Sequence, residues 1–147
     1  MSTRRPNRRV PITEVDQFLA DVLPRQIEAE KAICSGDPAP RLAMWSSKNP
    51  VTLFGADATK DGAEEVRRFF HLVASWFANC TAYRFDLVAA EVSGDLAYTV
   101  GFEHVSASFR GGPEAPINAR VTHVYRRENG EWMIVHRHAD RLLDSQA

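Results

Sequence analysis

Histidine is the side chain best suited to moving protons near neutral pH, and residues 120–140 hold three of the chain's five histidines, His123, His136 and His138, together with Arg137. A guanidinium beside an imidazole adds a second capability, since its fork of N–H groups can hold a carboxylate or an enolate. His136-x-His138 places two imidazoles on one side of a strand, with Asp140 next on that side, and such a spacing is able to ligate zinc. No cysteine pair and no second His-x-His completes a ligand set, so no metal is expected. The sequence carries no Gly-rich phosphate loop, no Gly-x-Ser-x-Gly, no paired carboxylates at a recognisable spacing and no aromatic platform in a basic field. Nothing here calls for a cofactor or a nucleic-acid partner.

These residues must be positioned by two strands, residues 120–140, that meet at Glu128-Asn129-Gly130. In the second strand Trp132, Ile134, His136, His138 and Asp140 share one face, and Met133, Val135, Arg137 and Ala139 the other. Neither face is purely apolar, so turn length decides which residues of the first strand accompany each set. A two-residue Asn129-Gly130 turn sets Val124 opposite Val135 and Thr122 opposite Arg137. A three-residue loop with Gly130 left-handed sets His123 opposite Val135 and Val121 opposite Arg137. The three-residue register sorts better, because it gathers Val121, His123 and Tyr125 with Met133, Val135 and Arg137.

Upstream, Thr13-x-x-Asp16 resembles a capping box and opens a helix carrying Val15, Phe18, Leu19 and Val22 at helical spacing. Pro24 predicts a kink or a break before the pattern ends at Gly36. Asp37-Pro38 starts a short helix through Trp45, Val51–Phe54 reads as a brief strand, and Asp61-Gly62 caps a helix with an apolar face from Val66 to Phe77. His71 falls off that face. From Thr81 the period becomes two: Tyr83 to Val92, a turn at Ser93-Gly94-Asp95, then Leu96 to Ser108. Helices followed by four long antiparallel strands make an α+β domain with the helices packed on one face of a sheet.

At 147 residues, 44% hydrophobic and 25% charged, the chain is sized for one soluble domain over residues 13–143. A net charge of −1 provides no general attraction to nucleic acid or to a membrane. Arg4, Arg5, Arg8 and Arg9 mark residues 1–12 as a disordered basic tail. No apolar run is long enough to span a membrane and the N-terminus lacks a signal-peptide core, so a cytoplasmic location is expected. Cys34 and Cys80, in helical contexts without Cys-x-x-Cys spacing, are expected as buried, reduced thiols.

Ser35-Gly36-Asp37, Trp45, Leu53-Phe54, Gly62 to Phe70, Ala97 to Glu103 and Arg126 to Trp132, taken in that order, resemble the nuclear transport factor 2-like superfamily, and within it the SnoaL-like and ketosteroid-isomerase-like group. The last strand, Trp132-x-x-Val135-His136-x-His138, is also similar to the association domain of calcium/calmodulin-dependent protein kinase II. The resemblance implies a cystatin-like, cone-shaped α+β barrel: a curved antiparallel sheet wrapped around the N-terminal helices, a pocket between them, and a homodimer through the outer sheet face. It places His123, Val135, Arg137 and Ala139 toward the pocket, with Tyr98, Val100 and Phe102 from the preceding strand. Glu103, Arg120, Thr122, His136, His138 and Asp140 then belong to a polar dimer face, with Trp132 or His138 in the contact.

Carried over by position, the isomerase's carboxylate base falls on Leu53, its tyrosine on Ala29 and its oxyanion-hole aspartate on His123, so the steroid isomerase reaction is not expected. The resemblance leaves His123 for proton transfer, Arg137 for holding an anion and Tyr98 as a hydrogen-bond donor. Leu53, Phe70, Trp76 and His104 would line the pocket with Val100, Phe102, Val121 and Val135. Such a site suits a small apolar acid or carbonyl compound and isomerase, dehydratase or cyclase chemistry. The competing readings are that His123 and Arg137 merely satisfy each other's surroundings, and that the chain is a non-catalytic binding or assembly module.

Overall fold

The computed structural model describes residues 11–55 and 58–143, so most of the expected basic tail lies outside the described residues. The capping box forms: Thr13 Oγ1 accepts from the Asp16 N–H at 3.1 Å, and an Asp16 carboxylate oxygen accepts from the Thr13 N–H at 3.2 Å. Helix α1 (Glu14–Ile33) then runs through Pro24 as one element. Pro24 and Ala20 are exposed, so water can satisfy the Ala20 carbonyl that loses its helical donor. Its inner face is Phe18, Val22, Gln26, Ala29, Glu30 and Ile33, all buried. Two of these are strongly polar, which matters below.

Helix α2 (Ala39–Met44) and strands β1 (Thr52–Phe54) and β2 (Thr59–Asp61) precede helix α3 (Ala63–Trp76). The long strands are β3 (Phe77–Ser93), β4 (Leu96–Phe109), β5 (Glu114–Glu128) and β6 (Glu131–Arg141). They form one curved, unclosed sheet in the order β2-β1-β6-β5-β4-β3, antiparallel except where β1 runs parallel to β6. The α+β cone is therefore present, with an open edge instead of a closed barrel. Strand β2 has only three residues and no alternation to reveal it. Strand β3 begins six residues before Tyr83, because a register irregularity between Ala78 and Ala82, with Asn79 at φ 55°, hides its start. No described helix is long and apolar enough to cross a membrane.

The final hairpin departs from the three-residue loop. Glu128 pairs with Glu131, and Asn129 (φ 51°) and Gly130 (φ 77°) form a two-residue turn with both central residues left-handed. Register is displaced further along: Tyr125 pairs with Ile134 but Val124 with His136, leaving Val135 as a bulge. Beyond it His123 faces Arg137 and Val121 faces Ala139, replacing the expected pairs His123–Val135 and Val121–Arg137. The bulge also splits the expected faces. Trp132 and Ile134 point inward with Arg137, while Met133 is only partly buried and His138 is exposed. Trp132, 7% exposed and edge-on to Phe18, is a core residue and not part of an outer interface.

Strand β4 is turned over relative to expectation. Ala97, Thr99, Gly101, Glu103, Val105 and Ala107 are buried, so Tyr98, Val100, Phe102 and His104 lie on the outer face and Glu103 on the inner one. Alternation fixes that the two sets are separate, not which is inside. Close approach decides it at Gly101, where a Cβ would stand 2.5 Å from the Asp86 carbonyl oxygen and 2.6 Å from the Phe85 ring.

Candidate active site within the cone

Strand pairing brings His123 of β5 opposite Arg137 of β6 and Thr99 of β4, and β1 sets Leu53 on the other side of Arg137. These inward side chains meet Gln26 from α1. The result is a closed ring of hydrogen bonds. Arg137 forks onto Glu103, with Nη2 to Oε1 at 2.9 Å and Nη1 to Oε2 at 3.4 Å, and Nη1 also reaches His123 Nε2 at 3.1 Å. His123 Nδ1 meets Gln26 Oε1 at 3.3 Å, Gln26 Nε2 donates to the Tyr83 hydroxyl at 3.1 Å, and Tyr83 donates to Glu103 Oε2 at 2.8 Å.

Donor and acceptor roles around this ring are forced. Arginine only donates, so His123 Nε2 must accept and Nδ1 must carry the proton. The single Tyr83 proton goes to Glu103, so Tyr83 accepts from the Gln26 amide and the amide oxygen is left to accept from His123. Every donor therefore runs from Arg137 to Glu103, directly or by way of His123, Gln26 and Tyr83.

Electrostatics agree with that assignment. Complete burial, and then the positive charges of Arg137 and Arg41, hold His123 well below the ordinary histidine range, so it is neutral at pH 7. Burial alone would raise the Glu103 carboxyl, but the Arg137 guanidinium outweighs it and keeps Glu103 ionised below its usual value. Burial works against the charge on Arg137 too, and Glu103 more than offsets it. Tyr83 is pushed far up by burial and by Glu103, so it stays a donor. A second buried ion pair, Arg41 with Glu30, lies nearby, its guanidinium 4.9 Å above the Phe70 ring.

Two residues neighbouring His123 carry hydroxyls that have no partner. Thr99 Oγ1 and the Tyr125 hydroxyl are buried and unbonded, as is Trp45 Nε1; Thr99 is the cross-strand neighbour of His123, and the Tyr125 ring is 6.1 Å from the imidazole. An unsatisfied buried hydroxyl costs about 1–3 kcal/mol, which water or a ligand ordinarily relieves.

Of the residues expected from sequence, His123 and Arg137 come together, flanked by buried Leu53, Val121 and Val135. Phe70 is buried under Trp45 and Arg41. Trp76 is elsewhere, packed on Phe69, Phe109 and Arg110. Tyr98 is 41% exposed on the outside and can donate nothing into the cone. His104 is held on the outer face by Asn118 at 2.8 Å and Asp86 at 3.1 Å, and Val100 and Phe102 line an outer groove of about 280 Å³ with Val88, Thr122 and His138. Glu103, Tyr83, Gln26 and Glu30 were missed. Gln26 and Glu30 were findable, because they interrupt the Phe18–Val22–Ile33 stripe at core positions.

The outer histidines are arranged differently. His136 Nδ1 is 2.7 Å from Thr52 Oγ1, and its ring centre lies 6.4 Å from that of His138, with Phe54 edge-on to both. Among the described residues no three His, Cys, Asp or Glu side chains converge on a metal-sized site.

Comparison with solved structures gives the same fold. A Streptomyces avermitilis protein of the nuclear transport factor 2-like family, provisionally described as a dehydratase, superposes with a TM-score of 0.68 at 23% identity, over 87% of this chain and 98% of that one. A nuclear transport factor 2 superfamily protein from Salmonella enterica serovar Typhimurium gives 0.73 at 18% identity, over 88% and 92%. A provisional ketosteroid isomerase from Parabacteroides distasonis gives 0.61 at 17%, over 84% and 87%. No curated protein matches the sequence. The SnoaL-like domain model matches residues 28–140, which span the polar ring's strands, the bulged hairpin and the C-terminal part of α1, and the chain belongs to the SnoaL-like domain family.

Proposed function

We propose that this chain carries out cofactor-free acid/base chemistry, of the isomerase, dehydratase or cyclase kind, on a small carbonyl compound or carboxylic acid admitted to the cone. The observation that supports it most is the neutral His123, fixed in one tautomer between Arg137 and Gln26, with unpartnered hydroxyls on the neighbouring Thr99 and Tyr125. A carbonyl or carboxylate oxygen entering there competes for Arg137 Nη1, more strongly as the carbonyl oxygen takes on enolate charge. Once that N–H turns to this oxygen, the His123 Nε2 lone pair is released as the proton acceptor. Thr99 and Tyr125 supply donors to the same oxygen, the place that sequence reasoning gave to Tyr98.

Hydrogen–deuterium exchange at the acidic carbon of a panel of small ketones, β-hydroxy acids and enoic acids in heavy water tests this reading before the substrate is identified. At least one compound should exchange faster with the wild-type protein than with His123→Gln. Equal exchange across the whole panel rejects the proposal.

A second reading concerns assembly. Val88, Leu96 and Tyr98 are 41–62% exposed on the outer side of β3 and β4, beside the groove at Val100 and Phe102. We propose a homodimer through this outer sheet face, with His138 in the contact and Trp132 excluded from it. Sedimentation at micromolar concentration should give a dimer, and Phe102→Asp a monomer; a monomeric wild type rejects it.

A further inference from the structure

The two cysteines are far apart in sequence and adjacent in the fold. Cys34 is the C-cap of α1, buried in the hydrophobic core, and Cys80 packs against that core from β3. Both are free thiols, and contacts between their two segments bracket them, Gln26 Nε2 with the Tyr83 hydroxyl at 3.1 Å on one side and Gly36 with the Phe77 carbonyl on the other. The surrounding backbone confirms how closely these segments approach: a Cβ on Gly36 would stand 3.5 Å from the Phe77 carbonyl and 3.6 Å from that of Ala74. Cys80 also sits in the irregular stretch of β3, where residues 79–81 leave the ladder with β4. A bulge in an edge strand can shift by the small distance that separates a thiol contact from a disulfide, whereas a laddered strand resists it.

From this juxtaposition we infer that Cys34 and Cys80 form a reversible dithiol–disulfide pair, closed by a disulfide oxidant of the glutathione class. The less buried Cys80 reacts first. Its thiolate attacks one sulfur of oxidised glutathione, the glutathione S–S bond breaks, and one glutathione leaves as a thiolate that takes a proton. Cys34 then loses its proton to solvent and attacks the Cys80 sulfur, expelling the second glutathione. Two protein thiols are oxidised and one glutathione disulfide is reduced to two thiols. Burial raises both thiols, and at Cys80, the less buried of the two, a backbone hydrogen bond at Ala82 and then Lys31 oppose it, so Cys80 has the better access to its thiolate.

The bond would join the same two elements that the Gln26–Tyr83 hydrogen bond joins, α1 and β3, and so clamp the seam that closes the polar ring. Its formation requires no catalytic role for that ring.

The folded protein is incubated with excess oxidised glutathione, quenched with acid and analysed by intact mass and by a non-reducing peptide map. The expected result is a monomeric chain lighter by two hydrogens, with a Cys34–Cys80 cross-linked peptide and a melting temperature raised by roughly 5 °C. Cys34→Ala, which keeps the site apolar, should stop at a glutathione adduct on Cys80, and Cys80→Ser should stay unmodified on the same timescale. Wild-type protein that keeps both thiols, accumulates the glutathione adduct or cross-links between chains overturns the inference. Circular dichroism of each variant establishes that it is folded before it is scored.

Discussion

Arg137 Nη1 points at His123 Nε2 across the β5–β6 ladder at 3.1 Å, while Gln26 Oε1 lies 3.3 Å from the opposite ring nitrogen. A cation in contact with an imidazole nitrogen is tolerable only if that nitrogen offers a lone pair. The pair therefore fixes a protonation state as well as a geometry.

Nitrogen-15 NMR of histidine-labelled protein checks this directly. His123 should show the neutral Nδ1–H tautomer at pH 7 and no titration down to the lowest pH at which the fold survives. A protonated His123 at pH 7 contradicts the assignment.

Stability should fall with acid in a defined window. His123 binds its proton more weakly when folded than at its ordinary value of 6.5, so between the two values the unfolded chain holds more protons. The contribution is constant above about pH 7 and is lost as pH falls below roughly 6.5, with a maximum slope of about 1.4 kcal/mol per pH unit. His136 shifts in the same direction, through burial and His138, so His123→Gln should flatten the profile between pH 7 and 5 without abolishing it. Glu103, held below its usual value, adds a separate loss below about pH 4.5. Thermal melts across pH for the two proteins measure the difference.

Breaking the inner ion pair should be expensive when a single partner is removed. Arg137→Met leaves Glu103 ionised and buried, and Glu103→Leu strands Arg137; each should cost about 3–5 kcal/mol. The double variant should recover much of that loss, because the desolvation of both charges is removed together. A urea-unfolding double-mutant cycle reads the coupling.

Thr99→Val and Tyr125→Phe remove hydroxyls that have no partner in the fold, so each should leave stability unchanged or raise it by about 1 kcal/mol. If these groups face the substrate, deuterium exchange falls while stability does not. Loss of stability would instead reveal a hydrogen bond to bound water.

Gly101→Ala should destabilise by about 3 kcal/mol, since its Cβ meets the backbone oxygen of Asp86 as well as the Phe85 ring, and the backbone oxygen cannot swing away. Denaturant midpoints compare it with Ala119→Gly as a control on a neighbouring strand.

Local chemistry made several elements legible in the chain itself. The Thr13 capping box, the apolar faces of α1 and α3, the strand alternation from Tyr83 onward and the motif order that resembles the SnoaL-like group all depend on neighbouring residues, and all appear in the structure. The meeting of His123 with Arg137 was only partly legible. An inward pair was expected from a longer loop, whereas a two-residue turn and a bulge at Val135 produce it, and the two routes leave the same parity beyond the bulge. The local signal for which side of β4 faces inward points the wrong way, because Tyr98, Val100 and Phe102 are more apolar than the buried Thr99, Gly101 and Glu103. Only the tertiary structure resolved this, by packing β3 against Gly101 and by supplying Arg137 and Tyr83 to a carboxylate that could not otherwise be buried. A period of two tells a strand's faces apart; the partners that arrive from distant segments decide which face is the core.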